Sequence, residues 1–200
     1  MSAASADGSA PKFTRIIADP PWLYGSKKAL VGTGGRGATP NAGDIVQIDA
    51  AAQYACMTLE ELTDLPVEMV SAQDSMLFMW ATNAFLADGS AADVVRAWGF
   101  TPKTVVTWAK VQADGITPSR KVGHWFRGAS EHVIVATRGR PKRPQGFPAL
   151  ATWFPHCRLP HSVKPETLHE IVEQTGEGPY LEMFARRMGR SGWTYWGNEL

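Results

Sequence analysis

The chain has 200 residues, 44% of them hydrophobic, and a formal net charge of +1, which suits one domain of ordinary size with a real core. Its longest dense apolar run, MLFMWA at 76–81, is far short of the ~20 residues that span a bilayer. Two cysteines, Cys56 and Cys157, lack the spacing of paired ligands, which argues against a disulfide framework or a zinc site and for a reducing cytoplasm.

Residues 1–12, MSAASADGSAPK, have no basic segment followed by an apolar one and read as a flexible tail. Residues 13–200 read as one domain. Phe13 to Ala18 is a short, partly β-branched apolar run that predicts a strand ending at Asp19. Residues 25–43 hold six glycines and no periodicity, which predicts a long mobile loop. Thr58 with Glu61 three residues on has the form of a capping box, so a helix begins there and Pro66 interrupts or restarts it. SMLFMWAT at 75–82 predicts a buried strand. FLADGSAADVVRAWGF predicts one helix ending near Gly99, and TPKTVVTWAKV another strand. Residues 112–130 read as a second irregular, mobile segment, followed by a strand at 132–139 and an irregular basic, proline-rich stretch. KPETLHEIVEQTG has Pro165 near its start and Gly176 at its end, which predicts a helix over 164–176. PYLEMFA and WTYWGNE close the chain as two strands. Apolar strands alternating with helices imply an α/β fold with a mostly parallel sheet covered on both faces. Ligands bind such sheets beyond the carboxyl ends of the strands, where Asp19, Thr82 and the turn after Phe184 would lie.

Charge is uneven along the chain. Residues 44–99 hold nine acidic residues against one basic, Arg96, whereas 120–143 hold seven basic residues against one acidic, Glu131. The second stretch could face phosphates.

The stretch IIADPPW at 16–22 carries the sharpest chemistry. Proline fixes φ and has no N–H, so two in series aim the nearby carbonyls in set directions and leave them without a sheet partner. With the Asp19 carboxylate they form an acceptor cluster beside a flat aromatic, Trp22. Its complement is an amino group on a planar ring, such as the exocyclic amine of a nucleobase. The same four residues also suit an extended loop whose tryptophan plugs the core.

DPPW, YACMTLEEL, LFMWAT, GHWFRGASEH, HSVKPE, YLEMFAR and a closing W-GNEL occur in this order. With them the chain resembles the DPPW group of N6-adenine methyltransferases, in particular the family of the mRNA adenosine methyltransferase large subunit. The resemblance implies a Rossmann-like methyltransferase fold, S-adenosyl-L-methionine as methyl donor, and adenine N6 in nucleic acid as acceptor, DNA favoured over RNA. It makes Asp19, Pro20, Pro21 and Trp22 the catalytic group: Asp19 and the Pro20 carbonyl accept the two amino hydrogens, and Trp22 stacks on the base or walls it in. Asp19, Pro21, Lys164, Glu182, Phe184, Arg186, Asn198 and Glu199 would hold the cofactor. Tyr24, Lys27 and Lys28, on the glycine-rich loop, and His124, Trp125, Arg127 and Glu131 would meet the substrate, with the basic segment 120–143 as phosphate track. Three departures stand out. FARRMG replaces the usual Phe-x-Gly-x-Gly turn, Glu199 stands where an amide is common, and the stretch before the DPPW strand offers only Asp7 for the cofactor adenine. The resemblance also allows a homodimer or a partner subunit, a non-catalytic subunit of the same fold, and a methyltransferase acting on RNA or a protein amide.

Overall fold

The structure is a computed structural model that describes residues 12–23, 56–119, 125–160 and 163–197. Among these, seven strands form one sheet in the order β5-β3-β4-β2-β1-β6-β7. They are β1 (Phe13–Ala18), β2 (Ser71–Ala81), β3 (Thr101–Val111), β4 (Ser130–Arg138), β5 (Trp153–Cys157), β6 (Tyr180–Met183) and β7 (Trp193–Trp196). All run parallel except β4, which is antiparallel to both neighbours, β2 and β3. The described helices are α1 (Leu59–Thr63), α2 (Val67–Val70), α3 (Asn83–Ala87), α4 (Ser90–Ala97) and α5 (Thr167–Gln174). No helix among them is long and apolar enough to cross a membrane.

Strand alternation divides the core between the two faces. Leu77, Met79 and Ala81 of β2 pack with Ile16, Leu62, Phe85, Val94 and Trp98 under α1–α4. Phe78 and Trp80, one residue out of phase, pack with Val106, Trp108, Phe154, Leu168 and Val172 under α5. The expected capping box is present: Thr58 caps the Glu61 N–H, and the Glu61 carboxylate accepts from the Thr58 N–H. Pro66 precedes the restarted helix α2.

The expected single helix over 85–99 is two. Gly89 adopts φ 85, a left-handed conformation that breaks the chain between α3 and α4. The sequence reading did not name β5, a five-residue edge strand interrupted by Pro155. Gly176, which ends the segment after α5, also has a left-handed φ, and a Cβ there would meet the Arg15 guanidinium at 2.1 Å. Arg15 donates to the Thr175 carbonyl and hydroxyl, tying β1 to the end of α5.

Because β1, β2 and β6 are parallel, Asp19, Thr82 and Phe184 all leave the sheet at one edge, hereafter the front. The antiparallel β4 starts at that edge and ends at the other. Its nine residues span about 26 Å at the usual strand rise.

Candidate active site

The front edge is built around the turn after β1. The Asp19 N–H donates to the Met183 carbonyl at 3.3 Å, holding the turn against β6. The prolyl carbonyls, expected to find donors outside a strand ladder, do so. Pro20 accepts from the Trp22 N–H at 2.9 Å, and Pro21 from the Met57 N–H at 2.8 Å. A carbonyl oxygen has two lone pairs, so the Pro20 oxygen keeps acceptor capacity. Leu23 returns a bond to the Met57 carbonyl, which explains why the stretch around Met57 accompanies the DPPW turn.

Trp22 is not an open stacking surface here. Its ring is 7% exposed, lies 4.7 Å from Phe85 in a stacked arrangement, and donates its Nε1–H to the Trp80 carbonyl at 3.1 Å. The large apolar area of the indole favours this buried seat. Trp22 therefore anchors the turn from beneath, as the core-plug alternative anticipated.

Asp19 meets Lys164, as the sequence placed both at the site. Asp19 Oδ2 accepts from Lys164 Nζ at 2.7 Å, and each side chain is 20% exposed. Among the described residues, Asp19 Oδ1 makes no hydrogen bond. Glu131, at the front end of β4, stands 3.7 Å from Lys164 and pairs with Lys110 of β3. Lys164 also lies 5.5 Å from the centre of the Trp80 ring, within cation–π range. Burial alone would push the Lys164 ammonium down. The charges of Asp19 and then Glu131, with the Asp19 hydrogen bond, outweigh it and hold Lys164 above its ordinary value, while Arg186 works against them.

A cleft of about 420 Å³ lies over β6 and α5, lined by Glu166, His169, Glu182, Arg187, Arg190 and Tyr195 among others. Glu182 Oε2 bonds His169 Nε2 at 2.9 Å. Among the described residues, His169 Nδ1 is buried without a hydrogen-bond partner, 3.6 Å from Glu166. Of the expected cofactor residues, Glu182 lines this cleft, Arg186 acts electrostatically on Lys164, and Phe184 packs edge-on against Trp196 at 5.2 Å. Phe184 has φ 61, strained for a bulky residue, and turns the chain after β6. The turn is closed by Gly197, where a Cβ would meet the Ala185 carbonyl at 2.0 Å.

Trp125 and Arg127 are exposed on the segment entering β4 at the front edge. Trp125 is 86% exposed and its neighbour Phe126 91%. Tyr24, Lys27, Lys28, His124, Asn198 and Glu199 lie outside the described residues. Of the expected phosphate track over 120–143, residues 120–124 lie outside the described residues, and the rest is not one surface. Its second half leaves β4 at the rear, where Arg138 pairs with Glu68 at 2.7 Å and the Arg140 N–H donates to Asp74 at 2.8 Å. The reversed direction of β4 carries it away from Asp19.

The sequence reading missed Lys110 and His169. Lys110 had a signal: it continues the alternation of Val106 and Trp108, both buried, and so points inward with them. His169 had a weaker one, a polar residue beside Leu168 on the inner side of α5.

The front edge thus presents a paired carboxylate and ammonium at the end of a central parallel strand, beside a polar cleft. The MT-A70 family profile matches residues 13–199, nearly the whole chain. Among similar proteins is the type II methyltransferase M.MunI of a Mycoplasma species, 30% identical over 195 residues, covering 94% of this chain and 78% of the relative. The N(6)-adenosine-methyltransferase subunit METTL3 of Danio rerio is 24% identical over 194 residues, covering 94% of this chain and 28% of the relative. The N(6)-adenine-specific methyltransferase METTL4 of Homo sapiens is 25% identical over 206 residues, covering 94% and 37%. This chain therefore spans most of the first relative and little more than a third, or less, of the others. A match of this extent, on a mostly parallel sheet with Asp19 and Lys164 joined at its front edge, makes the chain a member of the MT-A70 family of N6-adenine and N6-adenosine methyltransferases.

Proposed function

We propose that the protein transfers a methyl group from S-adenosylmethionine to the N6 amino group of adenine in nucleic acid, with DNA as the preferred substrate. The observation that carries this reading is the Asp19–Lys164 pair at the front edge. The donor set suits the cofactor. Lys164 and Arg186 offer cations to its carboxylate, Asp19 and Glu131 offer anions to its positive groups, and Glu182 offers an acceptor for ribose hydroxyls. The buried Nδ1 of His169 is a polar atom that a ligand in the cleft would satisfy. S-adenosylmethionine supplies an electrophilic methyl group on a sulfonium, so the protein's task is positioning and electrostatics rather than strong base catalysis.

Asp19 is suited to this task because Lys164 holds Oδ2 and leaves Oδ1 for an amino hydrogen. The remaining lone pair of the Pro20 carbonyl accepts the second hydrogen. Two acceptors on the N–H groups direct the nitrogen lone pair away from the ring plane and toward the methyl carbon. As the N–C bond forms and the S–C bond breaks, the surplus proton leaves through Asp19 or water. An adenine inside a duplex cannot reach this edge, so the base arrives from a single strand or flipped out. Exposed Trp125, Phe126 and Arg127 at the same edge suit an unpaired base and its phosphate.

The preference for DNA rests on likeness to the type II methyltransferase M.MunI, 30% identical and covered over 78% of its length, whereas MTA1 of Pyricularia oryzae, named for RNA, is 27% identical and covered over 48%. RNA is the second reading, favoured by that name. The test is incubation with methyl-labelled S-adenosylmethionine and separate DNA and RNA pools, followed by nucleoside analysis. Labelled N6-methyldeoxyadenosine is expected. Label only in N6-methyladenosine would overturn the DNA preference, and label in neither would overturn the reaction.

A further inference from the structure

Lys110 is 6% exposed, which is rare for a lysine. Its ammonium pairs with Glu131 and sits 4.5 Å from the centre of the Trp108 ring. Trp108 in turn packs edge-on against Trp80, at 6.1 Å, and Trp80 lies under Lys164. A methionine would fill the same volume without the cost of desolvating a charge. A charge kept at that cost invites a question about what it acts on.

Four side chains from β1, the segment before α5, β4 and β3 alternate in sign: Asp19, Lys164, Glu131, Lys110. Lys164 has two carboxylates within reach but sits on one. It is 2.7 Å from Asp19 and 3.7 Å from Glu131. Glu131 Oε1 is engaged by Lys110, so only Oε2 faces Lys164. Lys110 and Glu131 stand on β3 and β4 and Asp19 directly follows β1, its N–H tied to the Met183 carbonyl, whereas Lys164 is carried by an irregular segment. The balance between the two carboxylates therefore decides where Lys164 stands.

We propose that Lys110 is a positioning residue for methyl transfer: by occupying Glu131 it keeps Lys164 on Asp19. Removing the Lys110 charge strengthens the pull of Glu131 on Lys164 and draws it off Asp19. That loosens the acceptor for the adenine amine and moves the cation offered to the cofactor carboxylate. Lys110 acts through Glu131 and touches neither reactant. The inference rests on the methyl-transfer reading for its effect on rate, but not for its effect on geometry.

The experiment has two arms. The crystal structure of Lys110→Met is expected to show Lys164 closer to Glu131 than to Asp19. Lys164 remaining within hydrogen-bond distance of Asp19, as in the unaltered protein, would overturn the proposal whatever the enzyme does. In single-turnover methyl transfer, Lys110→Met is expected to lose about tenfold in rate and Lys110→Arg to recover most of it. The double variant Lys110→Met/Glu131→Gln is expected to be no slower than Glu131→Gln alone. Losses that multiply in the double variant, or an arginine that fails to rescue while melting like the unaltered protein, would overturn it. An unaltered enzyme that transfers no methyl group would refute the functional reading instead, and the crystallographic arm would still decide the coupling.

Discussion

Asp19→Asn keeps the shape of the acceptor and removes its charge. Unit charges 2.7 Å apart attract by about 6 kcal/mol at an effective dielectric of ~20. Desolvation of both groups takes most of that back. A hydrogen bond between charged groups of this burial contributes about 1.5–3 kcal/mol net, so the variant should lose about 2 kcal/mol of stability. The loss depends on pH in a defined direction. Lys164 is held above its ordinary value of 10.5, so its stabilising contribution is complete below the unfolded value and fades as pH rises through the higher folded one. The stability gap between unaltered protein and variant should be constant near neutrality and close above about pH 10.5. On the chemistry, loss of a charged group aimed at the reacting nitrogen should cost about 10²–10³ in rate. Denaturant unfolding across pH 7–11.5, as an approximate working range, measures the first effect. Single-turnover transfer to an adenine oligonucleotide measures the second. A variant that turns over within about fivefold of the unaltered enzyme, or a gap that does not narrow in alkali, would refute the reasoning.

Trp22→Phe should preserve the stack on Phe85 and lose the bond to the Trp80 carbonyl, costing about 1–2 kcal/mol in unfolding but less than tenfold in rate; a loss as deep as that of Asp19→Asn would return Trp22 to direct substrate contact. Glu173→Gln probes the acid side. Arg190 grips Glu173 at 2.6 and 2.7 Å, with the Trp193 indole donating at 2.9 Å, and together they lower its carboxyl from 4.5 to about 2. Its contribution, about 1–2 kcal/mol after solvent screening of a side chain 30% exposed, is present above pH 4.5 and lost as pH falls through about 2. The variant's stability should therefore fall less steeply over that window, and parallel acid-unfolding curves would count against the pairing. Reversing the charges of Arg140, Lys142 and Arg143 should change transfer to a short oligonucleotide by less than about threefold and leave the salt dependence intact, because the segment leaves the sheet at the rear; a slope reduced by about one per reversed charge would put nucleic acid on that face.

The DPPW turn, the capping box at Thr58 and the restart at Pro66 were legible because each depends on residues close in sequence or on a strand's end, whereas Asp19 and Lys164, 145 residues apart, were each placed at the site by resemblance and their contact was not foreseen. Nor was the direction of β4. A central strand buried on both faces has the same run of valine, isoleucine and alanine whichever way it points. That one unreadable property moved Arg138–Arg143 from the front to the rear. That the prolyl carbonyls need donors outside a ladder was legible, but the donor to Pro21, the Met57 N–H, depends on how a distant segment returns, and no local pattern states that. Lys110 was visible as a charge in phase with buried neighbours, but its meaning required Glu131 across the sheet.

The place of β1 in the sheet bears on how the protein is made. β1 lies between β2 and β6, yet β6 begins at Tyr180, some 160 residues after β1 ends at Ala18. At 5–20 residues per second the ribosome needs about 8–30 s to supply it. Throughout that interval β1 has a bare edge in which Ile16, Ile17 and Ala18 are open to wrong pairing. Lys164, too, reaches Asp19 only when the late segments arrive. The nascent chain therefore passes most of its synthesis with one edge of a central strand open, and a product truncated before Tyr180 never closes it.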